Sequence, residues 1–247
     1  MNDQVTKAET AEILRLAEQC LEIEGEFVEL GCYRGDTSVL LGKLLAKSSS
    51  NSTNCGKTVE KLCKTTASLC KKSPEFVDKM CKSSKNLCKK TLNPVDNRCK
   101  TSGKRLWIYD SFAGLPEKTR EDSSGAGQNF QAGELLVTKR EVVDKIRRAG
   151  LRNVIIKKAW FDELTDQDLP TEISFAFLDG DLYESIKTSL KLVAPRLSPQ
   201  GIMIVHDYNN PELPGSARAV DEFLHQHSEY RMSVHYSLAI ISQCKSF

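Results

Sequence analysis

The run Phe27-Val28-Glu29-Leu30-Gly31-Cys32-Tyr33-Arg34-Gly35-Asp36-Thr37-Ser38 constrains the fold more than any other stretch of the chain. Four residues, Phe27 to Leu30, read as a buried strand. Gly31 and Gly35 then allow a sharp turn with close backbone approach, and helical apolar spacing follows from Thr37 to Leu45. A strand that turns through glycine into a helix leaves unpaired N–H groups at the helix start, where an anion is favoured. The spacing excludes the three-glycine fingerprint of dinucleotide sites, because bulky Tyr33 and Arg34 stand between the two glycines. A smaller anion, such as an amino-acid carboxylate, fits better.

Strand and helix patterns alternate along most of the chain. Strands are expected at Phe27–Leu30, Arg105–Tyr109, Asn153–Lys157, Ile173–Leu178, Gly201–Val205 and as a closing pair within Met232–Ser242. Helices are expected near 9–23, 37–47, 138–149, 182–195 and 214–226. This order predicts an α/β domain, doubly wound, with a mostly parallel sheet covered on both faces. At 247 residues the chain is long enough for one such domain with an appendage.

The appendage is residues 48–104. Twelve Lys and one Arg stand there against two Glu and two Asp, so the rest of the chain is net acidic although the whole carries +2. An 18-residue repeat runs through it: Val59-Glu60-Lys61-Leu62-Cys63-Lys64 returns as Val77-Asp78-Lys79-Met80-Cys81-Lys82, with a truncated third copy from Val95. Eighteen residues are five helical turns, which predicts helices near 57–72 and 75–91, or else a weakly ordered, solvated insertion. Its six cysteines lack a C-x-x-C pair and a neighbouring histidine, so they read as small apolar side chains rather than zinc ligands. With Phe76 as its one aromatic residue, the segment is poorly equipped to stack on bases, and nucleic acid is the weaker partner. The polar start, MNDQVTKAET, and the lack of a long apolar run predict a cytoplasmic protein without a membrane anchor.

Chemistry gathers at the carboxyl ends of the expected strands, where ligands of such sheets bind. Glu29 and Gly31 close the first strand, Asp110 the second, Asp179 and Asp181 the fourth, His206 and Asp207 the fifth. Each acid alone is as readily a helix cap or a turn former. Together they suit a site: Asp110 is placed to accept ribose hydroxyls, and Asp179, His206 and Asp207 offer two hard oxygens and an imidazole to a divalent ion.

The blocks FVELGCYRGDTS, LWIYDSFAGLPE, KKAWFDEL, FAFLDGDLYESIKTSL and LSPQGIMIVHDYNNPELPGSARAVDEF, within residues 25–47 and 105–226, resemble the macrocin O-methyltransferase family. These are class I enzymes that use S-adenosylmethionine to methylate sugar hydroxyls; the first block is also similar to that of catechol O-methyltransferase. The resemblance implies a Rossmann-like seven-stranded sheet with one antiparallel strand. It implies that Glu29, Gly31, Tyr33, Gly35 and Thr37 hold the methionine part of the cofactor, that Asp110 with Ser111 serves the ribose, and that Trp160 neighbours the adenine. It makes Asp179 both metal ligand and presumed base, with His206 and Asp207 at the paired acidic positions. One departure stands out: the family has two consecutive acids where this chain has His206-Asp207, and imidazole suits Mn better than Mg. Alternatively, His206 is itself the base.

The expected partner is a small-molecule hydroxyl acceptor, met beneath a mobile lid over 114–135, with Tyr208, Asn209 and Asn210 on the same rim. Pocket walls can also come from a neighbouring subunit, which leaves a homo-oligomer open. Two other readings stay in view: a non-catalytic cofactor-binding scaffold whose repeat binds a partner, and, more weakly, a nucleic-acid methyltransferase.

Overall fold

The computed structural model describes residues 4–49, 103–123 and 130–244. The chain divides into two units, Met1–Ala46 with Lys104–Phe247, and Lys47–Gly103. The repeat, its cysteines and residues 124–129 lie outside the described residues.

The first unit opens with α1 (Lys7–Gln19), started by a capping box in which Thr6 and Glu9 satisfy each other's backbone N–H groups. Its end comes at Gln19 rather than near 23 because Cys20, Leu21 and Ile23 make tight turns back to Ala17, Glu18 and Cys20. Then follow β1 (Glu26–Leu30), α2 (36–49), β2 (Leu106–Asp110), α3 (Lys139–Arg148) and β3 (Val154–Lys158). The remaining elements are β4 (Ile173–Leu178), α4 (Tyr183–Val193), β5 (Leu197–Val205), α5 (Pro214–Gln226), β6 (Tyr230–His235) and β7 (Leu238–Gln243).

The seven strands form one sheet in the order β3-β2-β1-β4-β5-β7-β6, with β7 antiparallel to both neighbours. Side chains alternate across it. Phe27, Ile108, Phe175, Phe177 and Ile204 pack with Ile13, Leu16, Leu41 and Ile146 of α1–α3, whereas Val28, Leu30, Leu178 and Val205 pack with Ile186, Leu190, Val220 and Phe223 of α4 and α5. Among the described residues no helix is long and apolar enough to cross a membrane.

Chain direction reverses its order at β1, which lies between β2 and β4. The register there decides the site: Leu30 pairs with Tyr109 and with Leu178, and Leu178 pairs with Val205. The next residue of each strand, Gly31, Asp110, Asp179 and His206, therefore falls in one row along the carboxyl rim.

Candidate active site

Four backbone positions just past these strands are left-handed without being glycine: Tyr33 (φ 43°), Phe112 (φ 49°), Asp181 (φ 60°) and Asp207 (φ 57°). Such residues are held in place by their surroundings, and they cluster where a rim must be shaped. The rim borders a cavity of about 490 Å³ lined by Gly31, Tyr33, Asp110, Ser111, Trp160 and Asp179, with Phe161, Gly180 and others.

Gly31 forms the floor. A Cβ there would come within 2.0 Å of the Asp179 carbonyl oxygen, so only glycine lets the two strand ends meet. Asp110 braces the turn from the other side. Its carboxylate accepts the N–H of Cys32 (2.9 Å) and Tyr33 (3.2 Å) on one oxygen and of Phe112 (2.7 Å) on the other. Asp110 also lines the cavity, so its carboxylate both holds the turn and faces the space beside it. Ser111 turns inward on its own loop, accepting the Ala113 N–H and donating to the Gly114 carbonyl.

Other expected cofactor contacts stand off the cavity wall. Glu29 is buried, accepts from the Ser38 hydroxyl and so ties α2 to β1; burial, with Asp179 and Asp110 nearby, pushes its carboxyl up to about 8. Gly35 packs against Val142 of α3, and Thr37 lies in the first turn of α2.

The second focus is the buried His206 ring. Its Nδ1 lies 2.9 Å from Asp179 Oδ1 and 3.1 Å from Asp207 Oδ2, while Nε2 faces Glu9 Oε2 at 3.7 Å. Burial alone would lower its pKa, but Asp179, Asp207 and Glu9 outweigh it and hold the ring well above the ordinary histidine range. Asp181 is pushed well above the carboxylate range by burial and by Asp179 and Asp207.

Ligand atoms of Asp179, His206 and Asp207 all lie within 4.8 Å of one another. The two N–O separations near 3 Å match the edge that ligands make around one cation at bond lengths of about 2.1 Å, so the donor set fits a divalent ion.

A model of the macrocin-O-methyltransferase (TylF) family matches residues 91–233, more than half of the chain. The chain belongs to the macrocin O-methyltransferase family. Within it, the chain is 33% identical over 113 residues to the 8-demethyl-8-(2,3-dimethoxy-alpha-L-rhamnosyl)-tetracenomycin-C 4'-O-methyltransferase of Streptomyces olivaceus, covering 43% of each. It is 28% identical over 131 residues to the mycinamicin III 3''-O-methyltransferase of Micromonospora griseorubida, covering 50% of each. The matched region thus spans about half the length of these curated relatives. Among solved structures, the O-methyltransferase NovP superposes with a TM-score of 0.63 at 20% identity over 96% of this chain and 81% of that one. The calicheamicin methyltransferase CalS11 gives 0.61 at 17% identity, over 96% and 80%. These two likenesses establish a shared class I Rossmann-like fold.

Several rim residues of this family member are already engaged internally. The Tyr208 hydroxyl donates to Asp221, the Asn209 amide to the Tyr236 carbonyl and the Asn210 amide to Asp207. The flanks of the expected lid are pinned: Leu115 and Gly133–Glu134 exchange backbone hydrogen bonds, and the buried Asp122 carboxylate accepts from the Thr119 N–H and hydroxyl and from the Tyr183 N–H that starts α4. Neither Asp122 nor Glu9 was predicted from sequence. Glu9 reads as an ordinary capping-box residue, and Asp122 sits in a polar stretch without pattern; the T-x-x-D and T-x-x-E spacing is the one signal that marks them.

Proposed function

We propose that the chain is an S-adenosylmethionine-dependent O-methyltransferase acting on a hydroxyl of a sugar or another small-molecule acceptor, with Asp179, His206 and Asp207 holding a divalent Mg or Mn. What supports it most is the register-aligned row Gly31, Asp110, Asp179 and His206 at the point where strand order reverses, the first three of them lining one cavity, in a chain of this family.

Bound S-adenosylmethionine would supply a methyl on a cationic sulfonium, and the metal would favour the deprotonated acceptor oxygen. The protein's part is alignment and proton removal. Gly31 and Tyr33 line the cavity where they would hold the methionine end, and Asp110 keeps that turn rigid through three N–H contacts. Asp179 lines the cavity with Oδ1 on the His206 side, where the ion would be held, which leaves the other oxygen to accept the hydroxyl proton. Asp179 takes and keeps the acceptor's proton, and the cofactor, its methyl passed to the acceptor oxygen, would leave as a neutral thioether. His206, off the cavity wall, would hold the ion together with Asp179 and Asp207 and does not touch the acceptor.

The test is S-adenosylhomocysteine release with a panel of glycosides and phenols, with and without Mg or Mn. Release that requires an acceptor and disappears in Asp179→Asn, at unchanged cofactor binding, is the expected result. No release with any acceptor favours the scaffold reading. Full activity in Asp179→Asn overturns the assigned base.

A further inference from the structure

His206 stands where the resemblance to the family implied a second acid beside Asp207, and it brings a second ring nitrogen that an aspartate does not have. While Nδ1 is turned into Asp179 and Asp207, Nε2 is buried without a hydrogen-bond partner. Among the described residues the carboxylate that faces it is Glu9, 3.7 Å away and only 5% exposed, brought from the first turn of α1.

Glu9 is held more firmly than a helix cap requires. The α3 capping box repeats the pattern with Thr138 and Glu141, and there the carboxylate meets Thr138 in an exposed setting. By contrast, Glu9 Oε2 accepts the Thr6 N–H (2.9 Å) and hydroxyl (2.7 Å), and Oε1 accepts the Ser237 N–H and hydroxyl from the loop between β6 and β7. Four donors from two elements fix its orientation towards the imidazole.

We propose that Glu9 is a positioning residue for His206, setting the ring so that Nε2 carries a proton towards Glu9 and Nδ1 stays in the Asp179–Asp207 cluster. A ring whose Nδ1 serves a cation must keep its proton on Nε2, and a carboxylate behind the ring fixes that tautomer. This inference rests on the proposed reading of Asp179, His206 and Asp207 as the working cluster.

Two measurements test it. Nitrogen NMR of ¹⁵N-histidine-labelled protein, with His206 assigned from His206→Asn, should show Nε2 protonated with and without Mg, and Glu9→Ala should move that signal. Titration with Mn, followed by electron paramagnetic resonance, should show Glu9→Ala weakening binding about tenfold or more. Because Glu9 also caps α1 and holds Ser237, the cycle is repeated on His206→Asp. There the positioning role is gone while the structural roles persist, so removing Glu9 should change Mn affinity less than about twofold. Should Glu9→Ala fail to fold, Glu9→Gln is measured in both backgrounds with the same expectation of loss only beside histidine. Equal losses in the two backgrounds, or an unmoved His206 signal, overturn the proposal. Should the wild-type chain bind neither Mn nor Mg, the metal reading fails by itself and the NMR arm alone decides the role of Glu9.

Discussion

Gly31 and Asp179 are packed so closely that a single methyl group on Gly31 would fall 2.0 Å from the Asp179 carbonyl oxygen. Neither backbone can retreat, because the Asp179 N–H is itself bonded to the Leu30 carbonyl at 2.8 Å. Gly31 also sits at φ 88°, so alanine adds backbone strain to the collision. Gly31→Ala is expected to cost at least about 3 kcal/mol and to abolish binding of S-adenosylhomocysteine. Gly133→Ala is the control: φ is 82° but nothing lies within 4 Å, so only the strain of about 1 kcal/mol should appear. Chemical denaturation and calorimetry check both.

Asp110 carries the second prediction. Asparagine is nearly isosteric but turns an NH₂ towards backbone N–H groups that now meet oxygen, leaving at least one buried donor unpaired. Asp110→Asn should therefore destabilise the fold by about 1–3 kcal/mol and weaken cofactor-product binding by at least tenfold. Were ribose contact its sole role, stability would not change, so the denaturation midpoint distinguishes the two.

What was legible in the sequence follows from which interactions write a pattern. Strand β4 matches its expected span, Ile173–Leu178, because all six residues are buried and the run is unbroken. β5 begins at Leu197 instead of Gly201: Pro199 and Gln200 are exposed, Gln200 is left-handed, and the pairing with β4 shifts register there, so the first half carries no apolar signal. The row of rim residues was readable because each one ends an apolar run. Contacts made by backbone N–H groups, as on Asp110, and contacts from distant elements, as from Glu9 and Asp122, leave no periodic trace.

Glu29 makes stability depend on pH. Its carboxyl is raised from 4.5 to about 8, chiefly by burial. Between those values the unfolded chain has lost the proton that the folded chain still holds, so this group's contribution to stability is full below about 4.5 and is lost as pH rises to about 8. Glu29→Gln keeps an acceptor for the Ser38 hydroxyl and carries no ionisable group. It should match the wild type near pH 5 and exceed it by a few kcal/mol at about pH 8, since each pH unit in that window removes roughly 1.4 kcal/mol from the wild type. Urea denaturation at several pH values measures this, and a deficit constant across pH would refute it.

The cavity's charge predicts which acceptors it would favour. Six carboxylate residues line it, Asp110, Asp162, Glu163, Asp179, Asp181 and Glu184, and no Lys, Arg or His does so among the described residues. A cofactor of net single positive charge and one divalent ion would offset about half of that, leaving the lining negative. An acceptor bearing a diphosphate must then enter against a like charge in a partly enclosed space, where screening is weak. An uncharged glycoside should therefore show kcat/KM at least about tenfold above the same sugar carried on a nucleoside diphosphate. The gap should narrow as salt rises, because the Debye length shrinks from about 10 Å at 0.1 M to about 3 Å at 1 M. S-adenosylhomocysteine release measured with both acceptors across that range tests it, and equal efficiency at low salt would contradict the charge argument.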